Sequence, residues 1–197
     1  MNFQRIPPVD NTKKLLEVAF KKARLKSKAT NLKGNWLQKI RQKECLKIDV
    51  VKDSITLKLR KIMNDFPDTN VLPFFYIRLM KITLDFAEFK KSLGAINWAV
   101  GKCLTFQKSY VSKITKTKDR EIIKKLTKEF YGRISSVLKQ IEKNLVFLEK
   151  SRKTMRTYPD IKDMFTICIY GFPNVGKTTL LNKLAGTKAE TAAYAFT

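Results

Sequence analysis

Apolar side chains recur at three- and four-residue intervals through most of the first 158 residues, a spacing typical of amphipathic α-helices. The clearest stretch runs from Asp119 to about Lys153 and predicts one long helix. Its apolar positions are Ile123, Leu126, Phe130, Ile134, Val137, Ile141, Leu145 and Leu148. Because such stripes usually pack in a core, we expect this helix to be the spine of a helical bundle.

Four further helices are predicted upstream, with glycine or proline marking the joints between them. Their expected spans are Asp10 or Asn11 toward Gly34, Trp36 to Phe66, Pro73 to Leu93, and Ala95 to Ile114. The glycines interpreted as joints are Gly34, Gly94, Gly101 and Gly132. The second helix carries an apolar stripe at Ile48, Val51, Ile55, Leu59 and Ile62. Trp36, Trp98 and most of the Phe residues fall near such stripes, so we interpret them as core and not as base-stacking platforms.

The pattern changes at Pro159, which ends the helical region. The run from Phe165 to Tyr170 is short, apolar and rich in β-branched and aromatic residues, and it predicts a buried strand. A helix is expected from Lys177 through Leu184, with Gly186 in the usual terminating position. A strand, a glycine-rich loop and a helix are therefore predicted in that order.

The loop between this strand and helix reads Gly-Phe-Pro-Asn-Val-Gly-Lys-Thr and matches the phosphate-binding motif G-x-x-x-x-G-K-[ST]. Backbone N–H groups and the helix N-terminus provide positive potential for phosphate oxygens. Lys177 is expected to neutralise β- and γ-phosphate charge, Thr178 to coordinate Mg²⁺ and Thr179 to contact a phosphate. The predicted nucleotide-binding residues are Gly171, Phe172, Pro173, Asn174, Val175, Gly176, Lys177, Thr178 and Thr179. The alternative, a chance match in a glycine-rich turn, is disfavoured by the flanking strand and helix.

This motif contacts phosphates and does not distinguish ATP from GTP. The chain ends at Thr197, before any Asp that could hold the metal from a second strand and before any base-reading motif. We therefore expect a fragment of a longer protein that, by itself, binds nucleotide poorly and hydrolyses nothing. The predicted fold is an α-helical bundle over residues 1–158, followed over residues 159–197 by the first strand, loop and helix of a P-loop α/β domain.

The charge of the chain points to a polyanionic partner. Forty-one Lys and Arg residues face 17 Asp and Glu, giving a formal net charge of +24. Residues 161–197 contain four basic and two acidic residues, so about +22 of this charge lies in residues 1–160. An excess of this size is typical of a surface that binds nucleic acid phosphates, although any single Lys is more often a solvated residue on an exposed helix face.

The densest basic run extends from Lys13 to Lys47, and a second lies between Lys108 and Lys128. The residues predicted to contact RNA are Lys21, Lys22, Arg24, Lys26, Lys28, Lys33, Lys39, Arg41 and Lys43. Two alternatives remain open. The basic bundle could be a protein-interaction or anionic-surface module regulated by a nucleotide switch, or the loop could belong to an ATPase.

The remaining composition excludes several classes of site. Cys45, Cys103 and Cys168 have neither metal-ligand nor disulfide spacing, and the chain has no His to complete a zinc site. We interpret them as reduced structural thiols. The N-terminus lacks an apolar signal core and the apolar runs are short, so we expect a soluble intracellular protein without a membrane partner.

The loop with the following Thr-Leu-Leu-Asn-Lys-Leu resembles the first motif of translation-factor-related GTPases, especially the Obg-like branch. Three further segments resemble Nog-type nucleolar GTP-binding proteins. They are Asn64-Asp-Phe-Pro67, Pro73-Phe-Phe-Tyr76 and Leu93-Gly-Ala-Ile-Asn97. Ala193-Tyr-Ala-Phe-Thr197 is similar to the first switch of that family, so the resemblance covers most of the chain.

This resemblance implies a GTPase that binds GTP or GDP with Mg²⁺ and acts in assembly of the large ribosomal subunit. Its implied partners are large-subunit ribosomal RNA, the pre-ribosomal particle and assembly-factor proteins. Thr197 or its neighbour would be the switch Thr that closes on Mg²⁺, and Asn174 would bind a monovalent cation such as K⁺. The expected location is nucleolar in a eukaryote and cytoplasmic in a bacterium or archaeon.

Overall fold

The computed structural model describes residues 3–161 and 167–187, and this part of the chain is helical. A 3-10 turn at Phe3–Arg5 precedes the first α-helix. The α-helices of the described residues are α1 Thr12–Ala29, α2 Trp36–Asp65, α3 Phe74–Thr83, α4 Phe86–Lys116, α5 Arg120–Gln140, α6 Glu142–Met155 and α7 Lys177–Ala185. Of the described residues, 3–159 pack as one unit, and those from 160 onward belong to a second. The predicted fold class, a helical bundle followed by the opening of a P-loop domain, is confirmed for the helices.

The capping residues explain where the first two helices begin. The Asn11 side chain accepts a hydrogen bond from the backbone N–H of Lys14 at 2.8 Å, so Asn11 rather than Asp10 is the cap of α1. Asn35 and Gln38 form a reciprocal capping box at the start of α2, which ends before Phe66 and Pro67. The first helix stops at Ala29, five residues before the predicted glycine joint.

The prediction that Gly94 separates two helices is wrong, because α4 continues through Gly94 and Gly101. The break lies instead at Leu84 and Asp85, where the Asp85 carboxylate accepts the backbone N–H of Glu88 at 2.9 Å. Gly132 likewise lies inside α5. A helical glycine costs about 1 kcal/mol relative to Ala, and burial of the apolar positions around it outweighs that cost.

The predicted single helix from Asp119 to Lys153 is two helices that meet at Ile141. The interruption is local, because the Ile141 N–H donates to the Leu138 carbonyl at 3.2 Å and the Leu145 N–H donates to the Ile141 carbonyl at 3.0 Å. The predicted stripe is buried except at Leu126, which is half-buried. The stripe interpretation is therefore confirmed, although its helix is interrupted.

The core of the first unit lies where α2, α4 and α5 pack together, with α1 against α2 and α6 against α4. All five predicted stripe positions of α2 are buried. Phe89, Ile96 and Cys103 are buried on α4, at spacings that place them on one face. Within α3, Tyr76 and Met80 are buried, whereas Ile82 is exposed.

The N-terminal segment packs against the C-terminal end of the same unit. The Phe3 ring packs against Tyr76 and Tyr158, with ring centroids 4.9 and 5.5 Å apart. The Tyr76 hydroxyl donates to the Pro159 carbonyl at 2.9 Å. These contacts hold the last residues of the helical unit against α3.

The predicted strand is not found in the part of it that the structure describes. Phe165 and Thr166 lie outside the described residues, and 167–170 form no strand. Tyr170 is 97% exposed, contrary to the expected burial. A strand requires a partner for its backbone hydrogen bonds, and the described residues include no neighbouring strand.

Candidate nucleotide-binding site and basic surface

The glycine-rich loop turns directly into α7, as the motif requires. Gly176 has φ of +85° and ψ of +18°, and Asn174 has φ of +62°. Both values lie in the left-handed region, which Gly adopts freely and Asn tolerates better than most residues. The Leu180 N–H donates to the Gly176 carbonyl at 2.9 Å and closes the first turn of α7. The free N–H groups of that turn therefore face the loop region.

Lys177 lies at the first position of α7, and its side chain folds back over the loop. Its Nζ donates to the backbone carbonyl of Phe172 at 2.6 Å. A carbonyl carries no full negative charge, and no acidic side chain among the described residues forms an ion pair with Lys177. The positive charge therefore remains uncompensated next to the helix N-terminus, an arrangement that favours an anion.

The other predicted nucleotide-binding residues lie around this position. Thr178 is half-buried and Thr179 is exposed, both in the first turn of α7. Gly171 to Gly176 are exposed. Thr197, the predicted switch residue, lies outside the described residues. The loop geometry and the charge of Lys177 fit a phosphate group, and the Thr178 hydroxyl is of the ligand type that Mg²⁺ accepts alongside phosphate oxygens.

The described residues contain no group of three or more His, Cys, Asp or Glu side chains able to hold a metal ion by themselves. Burial raises the pKa of the Cys45 and Cys103 thiols to about 11, so both remain protonated at neutral pH. This agrees with structural thiols at those two positions. Cys168 differs from the prediction, because it is exposed.

Eight of the nine predicted RNA-contacting residues are exposed, on α1, the loop before α2 and the first turns of α2. Arg41 is the exception: it is half-buried, and its Nε donates to the Thr117 carbonyl at 2.9 Å. Arg41 therefore joins α2 to the end of α4. None of the nine forms an ion pair with an acidic side chain in the described ranges.

The interpretation of both tryptophans as core is wrong. Trp36 is 62% exposed and Trp98 is 43% exposed. In a helix, Trp98 lies about 200° from Ile96, which is buried, so it points away from the core. The signal that could have found this was present in the sequence, because each residue is out of register with the apolar stripe of its own helix.

Within the described residues, no helix is long and apolar enough to cross a membrane.

The helical unit matches the model of the NOG1 N-terminal helical domain over residues 3–162. Residues 166–197 match the model of the 50S ribosome-binding GTPase.

Several known proteins are similar to this chain over most or all of its length. An uncharacterized protein of Methanocaldococcus jannaschii is 36% identical over 162 residues, which cover 82% of this chain and 46% of the relative. Nucleolar GTP-binding protein 1 of Drosophila melanogaster is 30% identical over 197 residues, covering 100% of this chain and 30% of the relative. The Arabidopsis thaliana protein of the same name is 29% identical over 197 residues, covering 100% of this chain and 29% of the relative. The chain thus spans about a third to a half of the length of these relatives. The match of the helical-domain model to most of the chain shows that this protein belongs to the NOG1 family of nucleolar GTP-binding proteins.

Proposed function

We propose that the complete protein binds and hydrolyses GTP at residues 171–179 and docks on pre-ribosomal RNA through its helical domain during assembly of the large ribosomal subunit. The observation that carries the nucleotide proposal is the position of Lys177. Its ammonium lies over the loop at the N-terminus of α7 and contacts a neutral carbonyl. Charge, glycine conformation and helix end are combined there in one arrangement, which supports the proposal of a phosphate site.

In this proposal each side chain has a separate task. The Lys177 ammonium neutralises the β- and γ-phosphates, the Thr178 hydroxyl coordinates Mg²⁺, and Thr179 contacts a phosphate. Asn174 binds K⁺, and Thr197 or its neighbour contributes the switch hydroxyl. Mg²⁺ supplies charge neutralisation at the γ-phosphate when it is bound with the nucleotide.

The test is a fluorescent-nucleotide titration of the complete protein with GTP and ATP in Mg²⁺. Lys177→Ala should abolish or greatly weaken binding, because it removes the charge directed at the phosphates. Lys183→Ala is the matched control, since Lys183 lies in the last turn of the same helix, and it should bind as the parent does. Wild-type affinity in Lys177→Ala would reject the role of Lys177, and a preference for ATP would indicate another P-loop branch.

K⁺ dependence provides a separate test of Asn174. GTP hydrolysis by the complete protein should fall when K⁺ is replaced by Na⁺. Equal rates in the two salts would contradict the proposed cation site and leave the phosphate contacts unaffected.

The RNA proposal is supported by the uncompensated lysines of α1 and α2 and by the charge of residues 1–160. It agrees with the names of the relatives, which describe GTP-binding proteins of the nucleolus, and with the description of the second family model as ribosome-binding. Ribosomal RNA and the pre-ribosomal particle, with its assembly factors, are the partners we propose. The corresponding locations are the nucleolus in a eukaryote and the cytoplasm in a bacterium or archaeon.

One observation favours the alternative that the bundle is an interaction module. Val71 and Ile82, which precede and follow Phe74 in the sequence, are both 81% exposed, and the exposed Phe74 ring lies 4.8 Å from the guanidinium carbon of Arg78. Exposed apolar groups of this kind are common at protein and membrane interfaces. Binding to anionic vesicles as tight as binding to structured RNA would favour this alternative, whereas much weaker vesicle binding would favour RNA.

A further inference from the structure

One end of the helical unit carries an exposed aromatic ring paired with an arginine. Trp36 is the first residue of α2 and is 62% exposed, although tryptophan is on average highly buried. The guanidinium carbon of Arg120, the first residue of α5, lies 5.6 Å from the centroid of the Trp36 ring. Arg120 is thus positioned over the ring while much of the indole remains in solvent.

The helix ends that carry this pair are held in place by specific hydrogen bonds. The Gln38 N–H donates to the Asn35 side chain at 2.9 Å, and the Asn35 N–H donates back to the Gln38 side chain at 3.0 Å. Asp119 accepts the Glu121 N–H at 2.7 Å at the start of α5. Arg41 also joins α2 to the end of α4. The pair of Trp36 and Arg120 therefore lies on two helix starts whose backbone is held by hydrogen bonds.

The same three element ends are strongly basic. Exposed lysines in them are Lys33, Lys39, Lys43, Lys113, Lys116 and Lys118. Residues 33–43 contain no acidic side chain, and residues 113–121 contain two. Of these, Asp119 caps α5 and Glu121 pairs with Lys124 at 3.0 Å. The charge of these helix ends therefore complements phosphate.

We propose that Trp36 and Arg120, with the exposed lysines of the same helix ends, form a platform that stacks an unpaired nucleobase of the bound RNA. This Trp36 platform deepens the RNA-docking function proposed above and rests on it. A nucleobase can stack on the open part of the indole while the lysines contact the flanking phosphates. A paired base inside an RNA helix cannot reach the ring, so the platform selects single-stranded loops, bulges or ends. Sequence preference should be small, because every base has a face that can stack.

The decisive experiment compares the parent chain with Trp36→Ala by fluorescence anisotropy at one salt concentration. The two probes are a fluorescein-labelled single-stranded oligouridine and a blunt RNA duplex of the same length. Removal of one stacking interaction should weaken oligouridine binding on the order of tenfold and leave duplex binding almost unchanged. The salt dependence should be the same in parent and variant, because the substitution removes no group that binds phosphate.

Two variants control this comparison. Trp36→Phe keeps an aromatic face and should retain most of the affinity for oligouridine. Trp98→Ala removes the other exposed tryptophan of the helical unit and should bind both probes as the parent does. The 197-residue chain contains two Trp residues, so Trp98→Phe leaves Trp36 as its single tryptophan. Stacking of oligouridine should quench the fluorescence of that tryptophan.

The outcomes separate this inference from the function on which it rests. If the parent binds both probes with strong salt dependence but Trp36→Ala binds oligouridine equally well, the platform is overturned and RNA docking stands. Equal weakening for oligouridine and duplex would also overturn it, because the effect would not depend on an unpaired base. If the parent binds neither probe, RNA docking fails and the platform fails with it.

Discussion

At the residue scale, backbone angle decides what a glycine contributes. Gly176 turns the chain into α7 with φ of +85°, a conformation that costs a residue with a Cβ roughly 1–2 kcal/mol. Gly34 has φ of +115° ahead of α2. Gly94, in contrast, lies in the interior of α4, and a Cβ added there meets nothing within 4 Å. The first two are needed for their conformation, whereas the third only weakens its helix.

Replacement of these glycines should therefore change stability in opposite directions. We expect Gly94→Ala to raise the free energy of unfolding by about 0.5–1 kcal/mol, because Ala has the higher helix propensity. Gly34→Ala should lower it, because a Cβ there would lie 2.5 Å from the Gln38 Oε1 of the capping box and the φ angle is unfavourable. Urea denaturation followed by circular dichroism measures both. A destabilised Gly94→Ala would show that this position has a packing constraint.

At the element scale, the N-terminal segment is hydrogen-bonded to a partly buried ion pair within α6. The Glu149 carboxylate accepts the Val9 N–H at 2.9 Å and pairs with the Arg152 guanidinium at 2.7 Å. Thr12, the first residue of α1, donates from its hydroxyl to Glu142 at 3.0 Å. The hydrogen bond from Arg152 is the main cause that lowers the pKa of Glu149, and the Val9 N–H adds to it against the effect of burial.

This attachment should make stability depend on acid. Because the pKa of Glu149 is lower in the folded chain, the unfolded chain binds more protons, and the stabilisation is lost as the pH falls through the folded pKa. We expect Glu149→Gln to cost about 1.5–3 kcal/mol at neutral pH and clearly less at an acidic pH below the folded pKa of Glu149, where the carboxylate is protonated. Denaturation at both pH values tests this.

The control for that prediction is Glu129→Gln, at an exposed position of α5, which should cost less than Glu149→Gln at neutral pH. An equal cost for Glu149→Gln at the two pH values would contradict the role assigned to the carboxylate charge.

At the scale of the whole molecule, charge is distributed unevenly along the chain. About +22 of the +24 lies in residues 1–160, and the exposed lysines of α1 belong to its densest run. A surface of this kind releases counterions when it binds RNA, so affinity falls as salt rises. Such contacts give affinity and orientation with little sequence readout.

We therefore expect affinity for structured RNA to fall steeply between about 50 and 200 mM salt. Replacing Lys21, Lys22 and Lys26 together with Ala should weaken binding and reduce the salt slope by about 0.7–0.9 for each phosphate that the variant no longer neutralises. The matched control replaces Lys139, Lys143 and Lys150, three exposed lysines of α5 and α6, with Ala. Equal effects of the two triple variants would indicate that net charge, and not the α1 surface, controls binding.

Local features of the sequence determined which faces of the helices are buried and where some of the helices begin. Apolar periodicity located the core stripes of α2 and α5, and the loop motif located the start of α7 at Lys177. Both predictions succeed because helix register and capping depend on residues within a few positions of one another.

Tertiary structure decided what depends on contacts between distant residues. It showed that α4 continues through Gly94 and that the Arg41 side chain bonds to the Thr117 carbonyl, 76 positions away in the sequence. It also brought Trp36 and Arg120, 84 positions apart in the sequence, into contact on the surface. Periodicity along one helix cannot reveal such pairs, because their separation is set by how α2, α4 and α5 pack against one another.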